Sequence, residues 1–412
     1  MSTHTFKHVI LGGGLTAGYA AKEFAERGID DVAIVSAERY APYNRPPLSK
    51  GFLAGETPLE EIYVNEPDFY KENGIELMLN TTVDSVDFDK KQLHTQSGDV
   101  IQYDKLLLAT GSQVRKLDIP HAEIEGIHYL RDVGDSRSIQ SAIKMGSLAV
   151  VIGGGYIGME TSAVMAQKRI KVAMLFPESR LMEWFFTPEI SAFFHDYYVK
   201  HGVTIRTGVL PGSFMGVNER VEGVMLKDTD EKLPADFVLA GIGVEPVIDL
   251  YAETELDLNE EGIVVNEYLE TNIADVYAAG DLAYYPDLIF DKRRHIEHWD
   301  NARVQGRHAA KVMAGEREPF KALRYFFSDI FDLSYEFWGD TEGATETVHR
   351  GDFDEASFSA WWLKDGRVIA AFVMDRPNEE RKAAQKWIKQ GIKVKPDMLA
   401  DESNALEEAI AS

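Results

Sequence analysis

The sequence predicts an α/β protein in which one strand, glycine turn and helix unit occurs twice and a smaller α+β domain closes the chain. Three observations carry this expectation. Apolar strand-like runs lead directly into glycine clusters and helix-prone segments near residues 8–35 and again near 148–178. From about Lys321 the texture changes to alternating aromatic runs around a Lys-Asp-Gly turn. At 412 residues the chain is too long for one ordinary domain and suits two or three.

Taken in order, His8-Val-Ile-Leu reads as a buried strand, Leu15 to Arg27 as a helix, and Val32-Ala-Ile-Val as the next strand. The run Lys105-Leu-Leu-Leu-Ala is a further strand before Thr110-Gly111. From Ser147 the pattern restarts with Leu148-Ala-Val-Val-Ile, a glycine turn, a helix to about Lys168, and Val172-Ala-Met-Leu-Phe. In the last segment Ser357-Phe-Ser-Ala-Trp-Trp-Leu and Val368-Ile-Ala-Ala-Phe-Val flank Lys364-Asp-Gly-Arg, a hairpin signal, before a charged, helix-prone tail.

Each glycine turn has the chemistry of a phosphate cradle. In Gly12-Gly13-Gly14-Leu15-Thr16-Ala17 the first glycine permits the tight turn and the second admits a pyrophosphate. The following helix start offers free N–H groups and the positive end of its dipole. Glu38 stands at the end of the next strand, where a carboxylate can accept both ribose hydroxyls of an adenosine. The second copy, Gly153-Gly154-Gly155-Tyr156-Ile157-Gly158 with Glu178, repeats the arrangement. Two Rossmann-like dinucleotide-binding domains follow. A carboxylate at Glu178 suits a 2′-hydroxyl and repels a 2′-phosphate, which favours NADH over NADPH; Arg180, close by, is able to soften that preference.

Composition narrows the function classes. The formal net charge of −25 opposes nucleic acid as a partner and fits either a solubility device or a salt-adapted host. No apolar run approaches the roughly 20 residues of a membrane span, and the opening Met1-Ser-Thr-His-Thr-Phe-Lys shows no signal-peptide pattern. A soluble, cytoplasmic protein, monomer or homodimer, is expected, without a metal site. The chain contains no cysteine. Disulfide exchange, sulfenate chemistry and thiolate metal sites are therefore closed to this polypeptide acting alone.

Beyond the two fingerprints, Ala109-Thr110-Gly111-Ser112, Gly241-Ile242-Gly243-Val244-Glu245-Pro246 and Val276-Tyr277-Ala278-Ala279-Gly280-Asp281 resemble motifs of the flavoprotein reductases related to pyridine nucleotide-disulfide reductases. Pro42-Tyr43-Asn44-Arg45-Pro46-Pro47-Leu48-Ser49-Lys50 and Glu297-His298-Trp299-Asp300-Asn301-Ala302-Arg303 are similar to the subgroup of oxygenase-type ferredoxin reductases, monodehydroascorbate reductase and apoptosis-inducing factor. Met174-Leu175-Phe176-Pro177-Glu178 and Phe331-Asp332-Leu333 resemble monodehydroascorbate reductase more closely.

The resemblance implies an FAD domain over 1–116 and 243–320, an inserted NAD domain over 117–242 and a C-terminal domain over 321–412. It implies FAD at the first fingerprint, with Asp281 at its ribitol and pyrophosphate region, Arg45 and Arg115 as contacting arginines, and Lys50 near flavin N5. Val83, Ala109, Thr110, Gly111, Gly280, Glu297, His298 and Trp299 join the cofactor contacts, as does Gly243. A helix beginning at Trp299 would point its positive end at the flavin's pyrimidine edge. Glu160 resembles a residue at the nicotinamide end, and Arg303 the arginine that meets an anionic substrate.

With no cysteine to receive them, electrons must pass directly to an external acceptor. The expected acceptor is a small radical or quinone-like molecule, with monodehydroascorbate first; the alternative is a small iron–sulfur protein, ferredoxin or rubredoxin, serving an oxygenase. A third reading, an interaction protein like apoptosis-inducing factor, finds no targeting segment or basic surface in the sequence. One departure stands out in Tyr325-Phe326-Phe327-Ser328-Asp329. The resemblance places a tyrosine hydroxyl beside the flavin in plant reductases, and Phe327 lacks it; Tyr325 is a substitute source. Lys292-Arg293-Arg294 reads first as a solvated face, with added local positive potential as the alternative.

Overall fold

The computed structural model describes residues 2–411. The architecture is α/β, with two Rossmann-like nucleotide-binding folds and a C-terminal α+β domain. The chain groups into two compact units. One holds the chain up to Arg45, Pro58–Gln113 and Val244–Arg324; the other holds Pro46–Thr57, Val114–Gly243 and the chain from Tyr325 onward.

In the first unit the strands Ile75–Met78, Val32–Val35, Thr3–Leu11 and Val100–Leu108 lie side by side and parallel, with Val276–Ala278 also parallel to Val100–Leu108. Both faces of these strands are covered, so Val9-Ile-Leu, Val32-Ala-Ile-Val and Leu106-Leu-Leu are continuous apolar runs rather than alternating ones. The hairpin Val83–Asp87 and Gln92–Thr95 extends the sheet antiparallel.

The helix Leu15–Glu26 packs closely on Trp299–Met313, and Gly306 permits the approach: a Cβ there would lie 2.3 Å from the Thr16 carbonyl oxygen. Arg307, midway along Trp299–Met313, ties that helix to the last turn of Leu15–Glu26, donating to Glu23 at 2.7 Å and to Glu26 at 2.7 Å.

In the second unit Thr204–Thr207, Lys171–Phe176, Leu148–Ile152, Phe237–Ala240 and Ile127–His128 form a parallel sheet. The C-terminal strands Tyr325–Ile330, Leu333–Gly339, Arg367–Met374, Ser357–Lys364 and Glu346–Asp352 form an antiparallel sheet in that order. The Lys364-Asp-Gly turn sits where the sequence expects it, with Asp365 at φ +51° and Gly366 at φ +76°. An aromatic layer joins this sheet to the helix Pro188–Lys200: Phe194 meets Tyr335 at 5.6 Å and Phe193 meets Phe358 at 5.2 Å. Pro46–Thr57 belongs here through Ser136 Oγ, which donates to the Leu48 carbonyl at 2.8 Å.

Candidate functional site

The first glycine turn is shaped by close backbone packing and then opens outward. Gly12 has φ +121°, and a Cβ would fall 2.1 Å from the Ala109 carbonyl oxygen. At Gly14, by contrast, among the described residues beyond its chain neighbours such a Cβ would meet Arg45 Nη2 at 4.0 Å and nothing nearer, so a phosphate can approach the backbone. Gly14 caps the helix without a side-chain hydrogen bond, and no acid stands in the first turn. The first N–H groups are left for an anion. Leu15, Thr16 and Ala17 are buried behind them. This cradle fits the pyrophosphate of a dinucleotide.

Around it, Glu38 is already engaged. One carboxylate oxygen accepts from Tyr43 Oη at 2.6 Å and the other from Arg45 Nη2 at 2.7 Å. Arg45 thereby lies beside both Glu38 and the glycine turn. Asp281 accepts from Ser112 Oγ at 2.8 Å, and its carbonyl accepts from His295 at 2.7 Å. Gly280 has φ +80° and donates its N–H to the buried Gln305 amide at 2.8 Å. Thr110 Oγ1 donates to the Val247 carbonyl at 3.3 Å, Gly111 has φ +70°, and Val83 is a half-buried residue opening its strand.

The helix Trp299–Met313 begins as expected, and its cap is His298, whose side chain makes no capping hydrogen bond. Burial, and then the nearby Arg324 charge, push the His298 imidazole down to about 3, so it is neutral at physiological pH. Trp299 Nε1 donates to Asn44 Oδ1 at 2.8 Å. Glu297 is exposed and lies 3.6 Å from His295. Arg303 donates through Nε and Nη2 to Asp300 at 3.0 and 2.6 Å and rests 5.4 Å over the Trp299 ring. Its guanidinium is thus paired with an acid one turn earlier on its own helix.

The basic run is only partly internal. Arg294 is buried against Asp287 at 2.5 Å, and Arg293 donates to the carbonyls of Val265 and Tyr284. The Arg294 charge is thus paired internally, while Arg293 remains exposed.

The second glycine turn repeats the first. Gly153 also has φ +121°, with a Cβ that would lie 2.3 Å from the Gly241 carbonyl oxygen, while a Cβ on Gly155 would meet nothing within 4 Å. Gly155 caps the helix Tyr156–Gln167 without a side-chain bond and with no acid in its first turn. Gly158 packs against the Gly153 carbonyl, where a Cβ would come within 2.0 Å. Ile157 follows Tyr156 in the first turn of this helix.

Glu178 is exposed at the end of its strand. Arg180 does not stand ready beside it: Nη1 donates to the Phe186 carbonyl at 2.7 Å and to Ser191 Oγ at 3.0 Å, and Nη2 to the Glu183 carbonyl at 3.0 Å. The Arg180 guanidinium is thus hydrogen-bonded within its own loop rather than to Glu178. Arg115 falls in this unit, its N–H donating to the Gly243 carbonyl at 3.0 Å.

The helix behind the second turn carries Glu160, 7% exposed, into a polar node. Its carboxylate accepts from Ser49 Oγ, from Ser328 Oγ at 2.6 Å, and pairs with Lys50 Nζ at 3.3 Å. Lys50 also reaches Asp329 at 3.6 Å and sits 5.0 Å over the Phe327 ring. The structure therefore brings together Lys50, Glu160 and Phe327, and adds Ser49, Ser328 and Asp329, which sequence reasoning quoted without a role. The period of two along Tyr325–Ile330 was the available signal: Phe326, Ser328 and Ile330 are buried, while Phe327 and Asp329 face the other way. The Tyr325 hydroxyl donates to Glu336 at 2.9 Å. Among the described residues no group of three or more His, Cys, Asp or Glu is arranged to hold a metal ion, and no helix is long and apolar enough to cross a membrane.

Comparison with known proteins agrees with this geometry. The model of the pyridine nucleotide-disulphide oxidoreductase family matches residues 6–306, and that of the reductase C-terminal family matches residues 325–410. Monodehydroascorbate reductase 4, peroxisomal, of Arabidopsis thaliana is 40% identical over 402 residues, covering 92% of this chain and 82% of that protein. Among solved structures, the covalent putidaredoxin reductase–putidaredoxin complex matches with TM-score 0.93 and 32% identity, covering 98% of each chain. A ferredoxin reductase from Rhodopseudomonas palustris matches with TM-score 0.92 and 31% identity over 100% of each chain.

Proposed function

Because the chain belongs to the pyridine nucleotide-disulphide oxidoreductase family, we propose that it oxidises NADH through FAD and reduces an external one-electron acceptor, monodehydroascorbate before any other. The carrying observation is the pairing of two uncapped glycine-turn helices with the absence of any cysteine. Two nucleotides can be held, and no thiol exists to receive electrons. Identity of 40% to a monodehydroascorbate reductase, against 32% and 31% to the ferredoxin-type reductases, supports the choice of acceptor.

Gly12, Gly14 and the first turn of Leu15–Glu26 would bind the FAD pyrophosphate through backbone N–H groups, with Arg45 balancing its charge. Ser112 keeps Asp281 oriented, and the open start of Trp299–Met313 would stabilise negative charge at the ring's pyrimidine edge. The bound flavin supplies hydride acceptance and stepwise electron release. Gly153, Gly155 and Glu178 would hold NADH, Glu178 by its ribose. Glu160, fixed by Ser49, Ser328 and Lys50, has an acceptor position left for the carboxamide N–H of the nicotinamide. These groups align the reactants and exclude water; none is required to transfer a proton during the hydride step.

A second reading, a reductase for a small iron–sulfur carrier, draws on the high structural similarity to the putidaredoxin reductase complex and on Phe327. An Arg303→Ala variant tests the first reading. Under the first reading it reduces normally with NADH and loses most of its reoxidation by an anionic radical; equal loss of both half-reactions removes Arg303 from the acceptor site.

A further inference from the structure

After Glu178 the chain folds back over the second glycine turn rather than leaving it. Met182 donates its N–H to the Gly154 carbonyl at 3.3 Å, and Ser179 donates from its N–H and its Oγ to the Glu183 carboxylate at 2.8 and 2.9 Å. The Arg180 guanidinium binds the Phe186 and Glu183 carbonyls, closing the loop upon itself. Met182 takes a left-handed φ of +48°, unusual for a residue with a side chain, and buries that side chain.

Leu181, Met182, Phe185 and Phe186 are all buried, yet Trp184 between them is 59% exposed. Its ring stands 6.2 Å from Tyr156, edge-on, at the start of the fingerprint helix. A pinned loop that springs from the ribose-end acid and returns to the glycine turn thus holds the largest apolar side chain in water. Both of its anchor points belong to the adenosine diphosphate half of a dinucleotide laid on this turn.

We infer that Trp184 is the aromatic cover of the adenosine diphosphate half of the bound pyridine nucleotide. The inference rests on the placement of NADH at this fingerprint proposed above. An indole face presented to an adenine or ribose gains contact and stacking that a charged or small side chain does not give, with little ordering cost because the loop is already fixed.

The test is calorimetric titration of the FAD-loaded full chain with ADP and with NAD+, in wild type, Trp184→Ala, Trp184→Phe and Glu178→Ala. Trp184→Ala should keep its FAD and melting temperature and bind both ligands about 5- to 10-fold more weakly. Trp184→Phe should recover to within about threefold, and the tryptophan quenching on ADP saturation should be absent from it. Loss of ADP affinity in Glu178→Ala with full affinity in Trp184→Ala overturns the role of Trp184 alone. Full ADP affinity in both variants overturns the placement of the nucleotide on this fingerprint.

Discussion

Glu178 and Arg180 differ in their side-chain partners: Glu178 is exposed, whereas the Arg180 guanidinium is hydrogen-bonded within its own loop. Arg180 is two residues from the ribose-end acid in sequence, but its guanidinium is consumed by carbonyls of its own loop. Glu178→Ala is therefore expected to raise KM for NADH about tenfold and to change KM for NADPH little, a contrast seen by steady-state assay with both cofactors. The Lys50 cluster holds one cation between two carboxylates, Glu160 and Asp329, and Asp329 is more than half exposed. Asp329→Asn should speed reduction of ferricyanide by about threefold at low salt and leave a neutral quinone unaffected, the gain shrinking as salt is added. Equal effects on both acceptors would show that this charge does not reach them. Glu160 was singled out by family resemblance. Its hydroxyl partners were not, because Ser49 and Ser328 lie 111 and 168 residues away along the chain.

Among elements, the two strand–turn–helix units were readable because parallel strands buried on both faces write themselves as unbroken apolar runs, and glycine spacing marks the turns. Helix ends predicted at Arg27 and about Lys168 fall at Glu26 and Gln167. What the sequence hides is close approach between distant elements. Gly306 in mid-helix looks only like a weak helix former, yet it admits the Thr16 carbonyl. Gly306→Ala should cost about 1–3 kcal/mol despite the better helix propensity of alanine, visible as a lower melting temperature and weaker FAD retention. An unchanged melting temperature would mean that the helices can move apart freely. Arg350 is hidden in the same way: it is buried in the strand Glu346–Asp352 and donates to the carbonyls of Leu399, Asp401 and Asn404. Arg350→Ala should release 396–410, measurable as faster amide hydrogen exchange there with exchange of the parallel sheets unchanged.

For the molecule as a whole, charge and burial pull in opposite ways as pH falls. Protonation relieves the −25 excess of acid, but burial, the foremost cause at each site, lowers the affinity of His8, His128, His298, His308 and His349 for a proton. Below the usual histidine value of 6.5 the unfolded chain takes up protons that these side chains refuse when folded. Stability is therefore present above about pH 6.5 and lost progressively below it, by up to about 1.4 kcal/mol per pH unit for each such histidine. Melting temperatures at pH 7.5, 6.5 and 5.5 should decline from the second value onward; a flat profile would deny that the imidazoles are held neutral. The zero cysteine count made the direct route to an external acceptor legible from composition alone, whereas Phe327, and Arg303 paired with its own Asp300, left the acceptor to be decided by reaction. The most direct test is stopped-flow reduction of the FAD-loaded protein by NADH, followed by mixing with ascorbyl radical or with a ferredoxin. Rapid reduction, then rapid reoxidation by the radical and slow reoxidation by the ferredoxin, is the predicted result. Rapid reoxidation by the ferredoxin alone would contradict the proposed acceptor, and failure of NADH to reduce the flavin would contradict the account itself.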